Sequence, residues 1–176
     1  MTIWCALIRG IGGATHRGMP MAALRQAAAA AGLSDPRTVL STGNLIFRTE
    51  GGRAAVERRV TDLIGGFGLS GHPAVLRDRA GLARAMRDCP FPDAAEARPS
   101  KLLIHFLAAP AADGAEAALQ DRAAGERVAV TDDTLWIDFA DGVARSPLTP
   151  ARIERAVGCT ATARNWTTTG KLLAAM

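Results

Sequence analysis

The stretch IWCALIRGIGGATHRGMPMAALRQAAAAAGLSDPRTVLSTGNLIFRT, Ile3 to Thr49, decides the fold. Ile3 to Ile8 is an unbroken apolar run that predicts a strand. Gly10 to Gly18 reads as a glycine-rich loop, and Met19 to Ala31 as a helix. A second apolar segment, Thr38 to Phe47, is broken at Gly43-Asn44, a dipeptide that supplies positive φ for a reversal. The segment therefore predicts a hairpin with Thr38 to Leu40 pairing to Leu45 to Phe47. Strand, helix, strand, strand is the first three-quarters of a ferredoxin-like βαββαβ unit.

Working outward, Arg53 to Phe67 carries Val56, Val60, Leu63, Ile64 and Phe67 along one face, the apolar stripe of an amphipathic helix. His72 to Arg77 then reads as an edge strand that closes the unit. Asp78 is placed to cap a helix running to about Asp88, with Leu82 and Met86 inward. The proline-broken CPFPDAAEARPS, residues 89–100, is the expected boundary between subdomains. A second cycle follows. Lys101 to Ala108 predicts a strand and Ala112 to Ala124 a helix. Val128 to Val130 and Leu135 to Phe139 predict a hairpin turned at Asp132-Asp133. Thr149-Pro150 opens a helix in the N-cap, N1 manner. The expectation is an α+β protein of two ferredoxin-like halves with antiparallel sheets, 1–88 and 100–176. Each half has a βαββ core, and a C-terminal helix runs from Arg164 with Trp166 buried.

The 176 residues are 48% hydrophobic, with a net charge of +4. That bounds the chain to one domain or two small ones with an ordinary core and no need of a disulfide or metal staple. Only Lys101 and Lys171 are lysines, so 19 arginines carry the positive charge and alanine is abundant. The basic balance is partly compositional; it permits an anionic partner without demanding one. Cys5, Cys89 and Cys159 are odd in number and widely spaced, which fits reduced thiols in the cytoplasm. No signal peptide is evident, and no apolar run reaches the length of a membrane span.

The glycines of RGIGGAT fail the dinucleotide test, since the helix begins well beyond them and no acidic residue ends the next strand. Gly170-Lys171 fails as a P-loop for want of the upstream glycine and the following hydroxyl. His16, His72 and His105 have no neighbours at ligand spacing, so neither a metal nor a cofactor is expected. Ser146, at a strand–helix junction, reads as a capping hydroxyl.

The tail ARNWTTTGKLLAAM is the most informative piece. On a helix Arg164, Thr168 and Lys171 share a face beside an N-terminus that favours an anion, while Trp166 and Leu173 share a core face. Asn165 or Thr167 would cap that helix. Gly170 suggests close approach of a backbone or ligand. Arg9, closing the first strand, is placed either to point toward the same cleft or to stand as a solvated strand end. The competing reading pairs Arg164 and Lys171 with carboxylates of the neighbouring subdomain.

Together these pieces resemble the bacterial domain of unknown function 1697. Its hallmarks are an ALLRGINVGG loop, a PMxxLR helix start, an SGNxxF hairpin and a TARNWNTxxKL tail. This chain has ALIRGI at Ala6 to Ile11, PMAALR at Pro20 to Arg25, TGNLIF at Thr42 to Phe47 and TARNWTTTGKL at Thr162 to Leu172. The resemblance implies two ferredoxin-like halves and carries no activity. Three departures bear on any family site: Gly12-Gly13-Ala14-Thr15 stands for NVGG, Pro147 for the lysine after serine, and Thr167 for asparagine.

Three functions are expected from these residues. The preferred one is a cytoplasmic protein binding an anionic small molecule or nucleotide between its halves, through Arg9, Arg164, Asn165, Thr168 and Lys171. A second is an enzyme acting on a phosphorylated or carboxylated metabolite, with Asp138, Asp141 or His105 as the base and no catalytic residue assigned. A third is an interaction or oligomerisation module built on the alanine-rich helices. Nucleic acid is disfavoured, because the chain has no tyrosine and its first-half strands offer only Trp4 and Phe47 for stacking.

Overall fold

The opening apolar run forms β1 (Thr2–Ile8), an inner strand of a four-stranded antiparallel sheet. The computed structural model describes residues 1–12 and 14–176, without the side chains of Ala14 and His16. The expectations that fall on Gly13 and on the His16 side chain lie outside the described residues. The chain divides into two compact units, Met1–Leu82 with Lys171–Met176, and Ala83–Gly170.

In the first unit β1 is followed by α1 (Ala14–Gly18), α2 (Met21–Ala30), β2 (Ser34–Thr38) and β3 (Asn44–Thr49). Helix α3 (Arg53–Gly65) and β4 (Ala74–Asp78) complete it. The sheet order is β2-β3-β1-β4, all antiparallel, which is the expected βαββαβ unit. Alternation along β1 sends Trp4, Ala6 and Ile8 toward Leu24, Ala28, Val56, Val60 and Ile64 of the helices. Cys5 and Leu7 on the opposite face are buried as well. Burial on both faces explains why β1 reads as a continuous apolar run instead of an alternating one.

Two local expectations in this unit need correction. The glycine-rich segment contains the short helix α1, where the Thr15 hydroxyl accepts from Gly12 N at 2.9 Å. The hairpin register also differs: Thr38 faces Leu45 and Arg37 faces Ile46, while Val39 and Leu40 belong to the turn. The cause is Asn44. Instead of forming the turn it is buried in β3, and its Nδ2 donates to Val39 O at 2.8 Å, closing the loop from within. Gly43 supplies the expected positive φ of +74°, and a Cβ there would lie 2.7 Å from Ile11 Cγ1. Gly43→Ala is therefore expected to cost about 2 kcal/mol from backbone strain and overpacking together. A urea titration checks this, by a lower midpoint at unchanged slope.

The chain continues through α4 (Arg79–Arg87), opened by Asp78 Oδ1 accepting from Gly81 N at 2.7 Å, and α5 (Pro92–Ala97). Leu82 and Ala85 are the buried hydrophobic residues of α4; Met86 is half-buried. Next come β5 (Leu102–Leu107), α6 (Ala115–Gln120), β6 (Arg127–Thr131) and β7 (Thr134–Asp138). After a 3-10 turn at Val143–Arg145, the chain ends in α7 (Pro150–Val157), β8 (Ala161–Asn165) and α8 (Trp166–Ala175). The order β6-β7-β5-β8 repeats that of the first sheet, with every pair antiparallel. The Asp132-Asp133 turn and the Thr149 cap, which accepts from Arg152 N, are as expected.

The boundary expected in residues 89–100 compares with a division inside α4, at Leu82 and Ala83. Trp136 Nε1 donates to Ala85 O at 2.9 Å, and Arg98 bonds Asp138 at 2.8 Å, so the end of α4 and all of α5 are tied to the second sheet. The last six residues group with the first unit, where Arg79 Nη1 donates to Leu173 O at 2.8 Å. Among the described residues no helix is long and apolar enough to cross a membrane.

Candidate functional site

The tail is not one helix. Ala161–Asn165 is the final strand of the second sheet, pairing with β5, so Arg164 faces Ile104 and shares no helical face with Thr168 or Lys171. Asn165 supplies the cap that was expected, its Oδ1 accepting from Thr168 N at 2.8 Å. The helix thus starts two residues later than the expected face requires, and its buried residues are Thr168, Thr169 and Leu172. Trp166 is half-buried, contrary to its expected core role. At Gly170 a Cβ would meet Met86 Cε at 3.6 Å, an ordinary contact.

The expected anion-site residues divide between the units: Arg9 and Lys171 in the first, Arg164, Asn165 and Thr168 in the second. Arg164 Nη1 donates to Ala163 O at 2.7 Å and to Thr162 Oγ1 at 3.0 Å. Arg9 is held through its backbone, its N donating to Pro73 O at 2.9 Å and its carbonyl lying 3.0 Å from His72 Nδ1.

Of the three candidate bases, Asp138 is the most engaged. Its side chain is 1% exposed. Arg98 Nε donates to Oδ1 at 2.8 Å, and Arg127 donates to Oδ2 from Nε at 3.0 Å and from Nη2 at 2.8 Å. Arg127 also reaches Asp93 at 2.7 Å and lies 4.6 Å from the centre of the Phe91 ring. The Arg98 hydrogen bond first, and then Arg127, hold the Asp138 carboxyl below its usual range despite its burial. A carboxylate so engaged is a poor base. His105 lies on the helix-facing side of β5 opposite Leu135, and its Nε2 has no partner. Burial pushes its pKa down to about 4. Asp141 lines a cavity of about 160 Å³ with Glu126, Arg145 and Ser146. Burial there opposes ionisation of Glu126, but hydrogen bonds from Ser146 and from the backbone N–H of Ala124 hold its carboxyl below the ordinary value.

Sequence reasoning missed a second cavity of this unit. About 210 Å³ in volume, it is lined by Ala118 of α6, Arg122 just beyond it, and Arg152, Arg155 and Ala156 of α7. Leu119, Ile153 and Val157 anchor these segments in the core and leave the arginines exposed. Arg152 Nη1 donates to Pro147 O at 2.7 Å. Among the described residues, neither the Arg122 nor the Arg155 side chain has a hydrogen-bond or ion-pair partner, and no carboxylate lines the cavity. The i, i+3 spacing of Arg152 and Arg155 was visible in the sequence. That Arg122 joins them depends on α6 and α7 lying side by side on one sheet face.

A family model described as "Protein of unknown function (DUF1697)" matches residues 1–136. The chain belongs to that family. No curated protein matches it. A solved structure, described as that of conserved bacterial protein SP0830 from Streptococcus pneumoniae, is similar at a TM-score of 0.75. It is 16% identical, over 99% of this chain and 98% of that one, and therefore speaks for the fold alone.

In this DUF1697 chain the motifs occupy structural positions. ALIRGI ends β1, PMAALR opens α2, and TGNLIF makes the Gly43 turn and β3. TARNW, beyond the matched residues, forms β8 and the cap of α8. Among the described residues no cluster of His, Cys, Asp or Glu could hold a metal ion, and Cys5, Cys89 and Cys159 form no disulfide with one another.

Proposed function

We propose that this protein is a cytoplasmic binding protein for an anionic small molecule or nucleotide, and that the anion enters the arginine-lined cavity of the second unit. One observation carries the reading: three arginines border one cavity whose wall holds no carboxylate. Like charges gathered this way repel, and an anion that bridges them offsets the cost. Guanidinium groups suit the task because their planar donors match phosphate and carboxylate oxygens in pairs. The tail offers less, since Arg164 already donates to Thr162 and Ala163. Binding is favoured over catalysis by the state of the candidate bases: Asp138 is spent on two arginines and His105 is enclosed in the core.

Phosphate or sulfate, compared at constant ionic strength, is expected to raise the melting temperature by mass action. At a hundred times Kd the gain is about 2.7 kcal/mol. The Arg122→Ala, Arg155→Ala double variant is expected to lose most of that rise, while Arg164→Ala keeps it. An equal rise in the double variant and the wild type would refute this site, and a rise lost only in Arg164→Ala would return the anion to the tail.

A further inference from the structure

We infer that the ligand of the arginine cavity is a phosphoanhydride chain, two or more phosphates in a row, recognised by its charge and without contact to a nucleobase. The inference rests on the anion-binding reading. Arg152 and Arg155 lie one turn apart on α7, and Arg122 comes from the neighbouring segment after α6. The cations are therefore spread along a cavity of about 210 Å³, room for several waters at about 30 Å³ each. A single phosphate group carries at most about two negative charges at neutral pH, which leaves a third guanidinium uncompensated. A chain of phosphates carries its charge on several groups in a row, which lets each guanidinium meet its own oxygens.

The remaining wall says what is absent from recognition. Ala118 and Ala156 are its other lining residues, and neither stacks on a base or hydrogen-bonds its edge. Arg152, steadied by the Pro147 carbonyl, is the preorganised member of the three. The other two are available to close on the ligand.

Isothermal titration of the full chain with orthophosphate, pyrophosphate, tripolyphosphate and ATP, in metal-free buffer of fixed ionic strength, tests this. Tripolyphosphate is expected to bind at least about tenfold tighter than orthophosphate, one further charge-assisted contact being enough for that ratio. ATP should bind within about threefold of tripolyphosphate, and Arg122→Ala with Arg155→Ala should abolish both. Circular dichroism of the double variant establishes that it is folded. Equal affinities for orthophosphate and tripolyphosphate, both lost in the double variant, would overturn the phosphate-chain inference and leave the anion-binding reading standing. ATP binding about tenfold tighter than tripolyphosphate would overturn recognition by charge alone. Binding of every anion unchanged in the double variant would overturn both readings.

Discussion

Acidification from pH 7 to pH 4 is expected to remove about 3 kcal/mol of the second unit's stability through His105 alone. The imidazole is buried in the sheet's helix-facing side, its Nε2 has no partner, and burial lowers its pKa from 6.5 to about 4. The unfolded chain takes up a proton between those values and the folded chain does not. Stability through this group is therefore whole above about pH 6.5, falls as pH drops toward about 4, and changes no further below that. His105→Leu removes the titration and the unpaired nitrogen together, and a leucine suits a site between Leu135 and Ala163 on the flanking strands. The variant is expected to be more stable than the wild type at pH 5 and to lack the dependence between pH 6.5 and 4. Amide exchange of β5 and β7, measured across that range, checks it. A wild-type profile that the substitution leaves unchanged would show that another group carries the pH dependence.

Asp138→Asn is the second large effect, an expected loss of about 3 kcal/mol at pH 7. The carboxylate is the buried centre on which Arg98 and Arg127 converge, and these arginines remain partly exposed. Partial solvation of the arginines holds the effect at the lower end for a broken buried pair. Arg127→Ala leaves Arg98 in place and is expected to cost about 1 kcal/mol. Because the Asp138 carboxyl is held below its ordinary value of 3.8, its contribution is present above that pH and lost only as pH falls through the lower folded value. The aspartate and the histidine thus act in separate windows. Urea titrations of Asp138→Asn, Arg127→Ala and the wild type at pH 7 check the ranking; equal midpoints for Asp138→Asn and the wild type would refute it.

The elements legible from residue order alone are those that short-range chemistry decides. The apolar stripe at Val56, Val60 and Ile64 made α3 readable, since helical periodicity needs only neighbours three and four apart. Asp78, Thr149 and Asn165 marked helix starts because a capping oxygen reaches backbone N–H groups only a few residues on. The order of these elements was enough to imply two βαββ halves. Tertiary structure decided the rest. ATARN reads equally well as a helix start, and it becomes β8 because β5 has an edge to pair, Leu107 with Ala161 through Leu103 with Asn165. The Asn44 side chain set the hairpin register by turning inward, which no turn preference in the sequence reveals. Asp138 drew its arginines from 40 and 11 positions away, and Arg122 met Arg152 and Arg155 across two helices. These partners carry no mark in the local sequence, because each residue's chemistry is the same wherever it lies; only packing on a shared sheet gives them a common place.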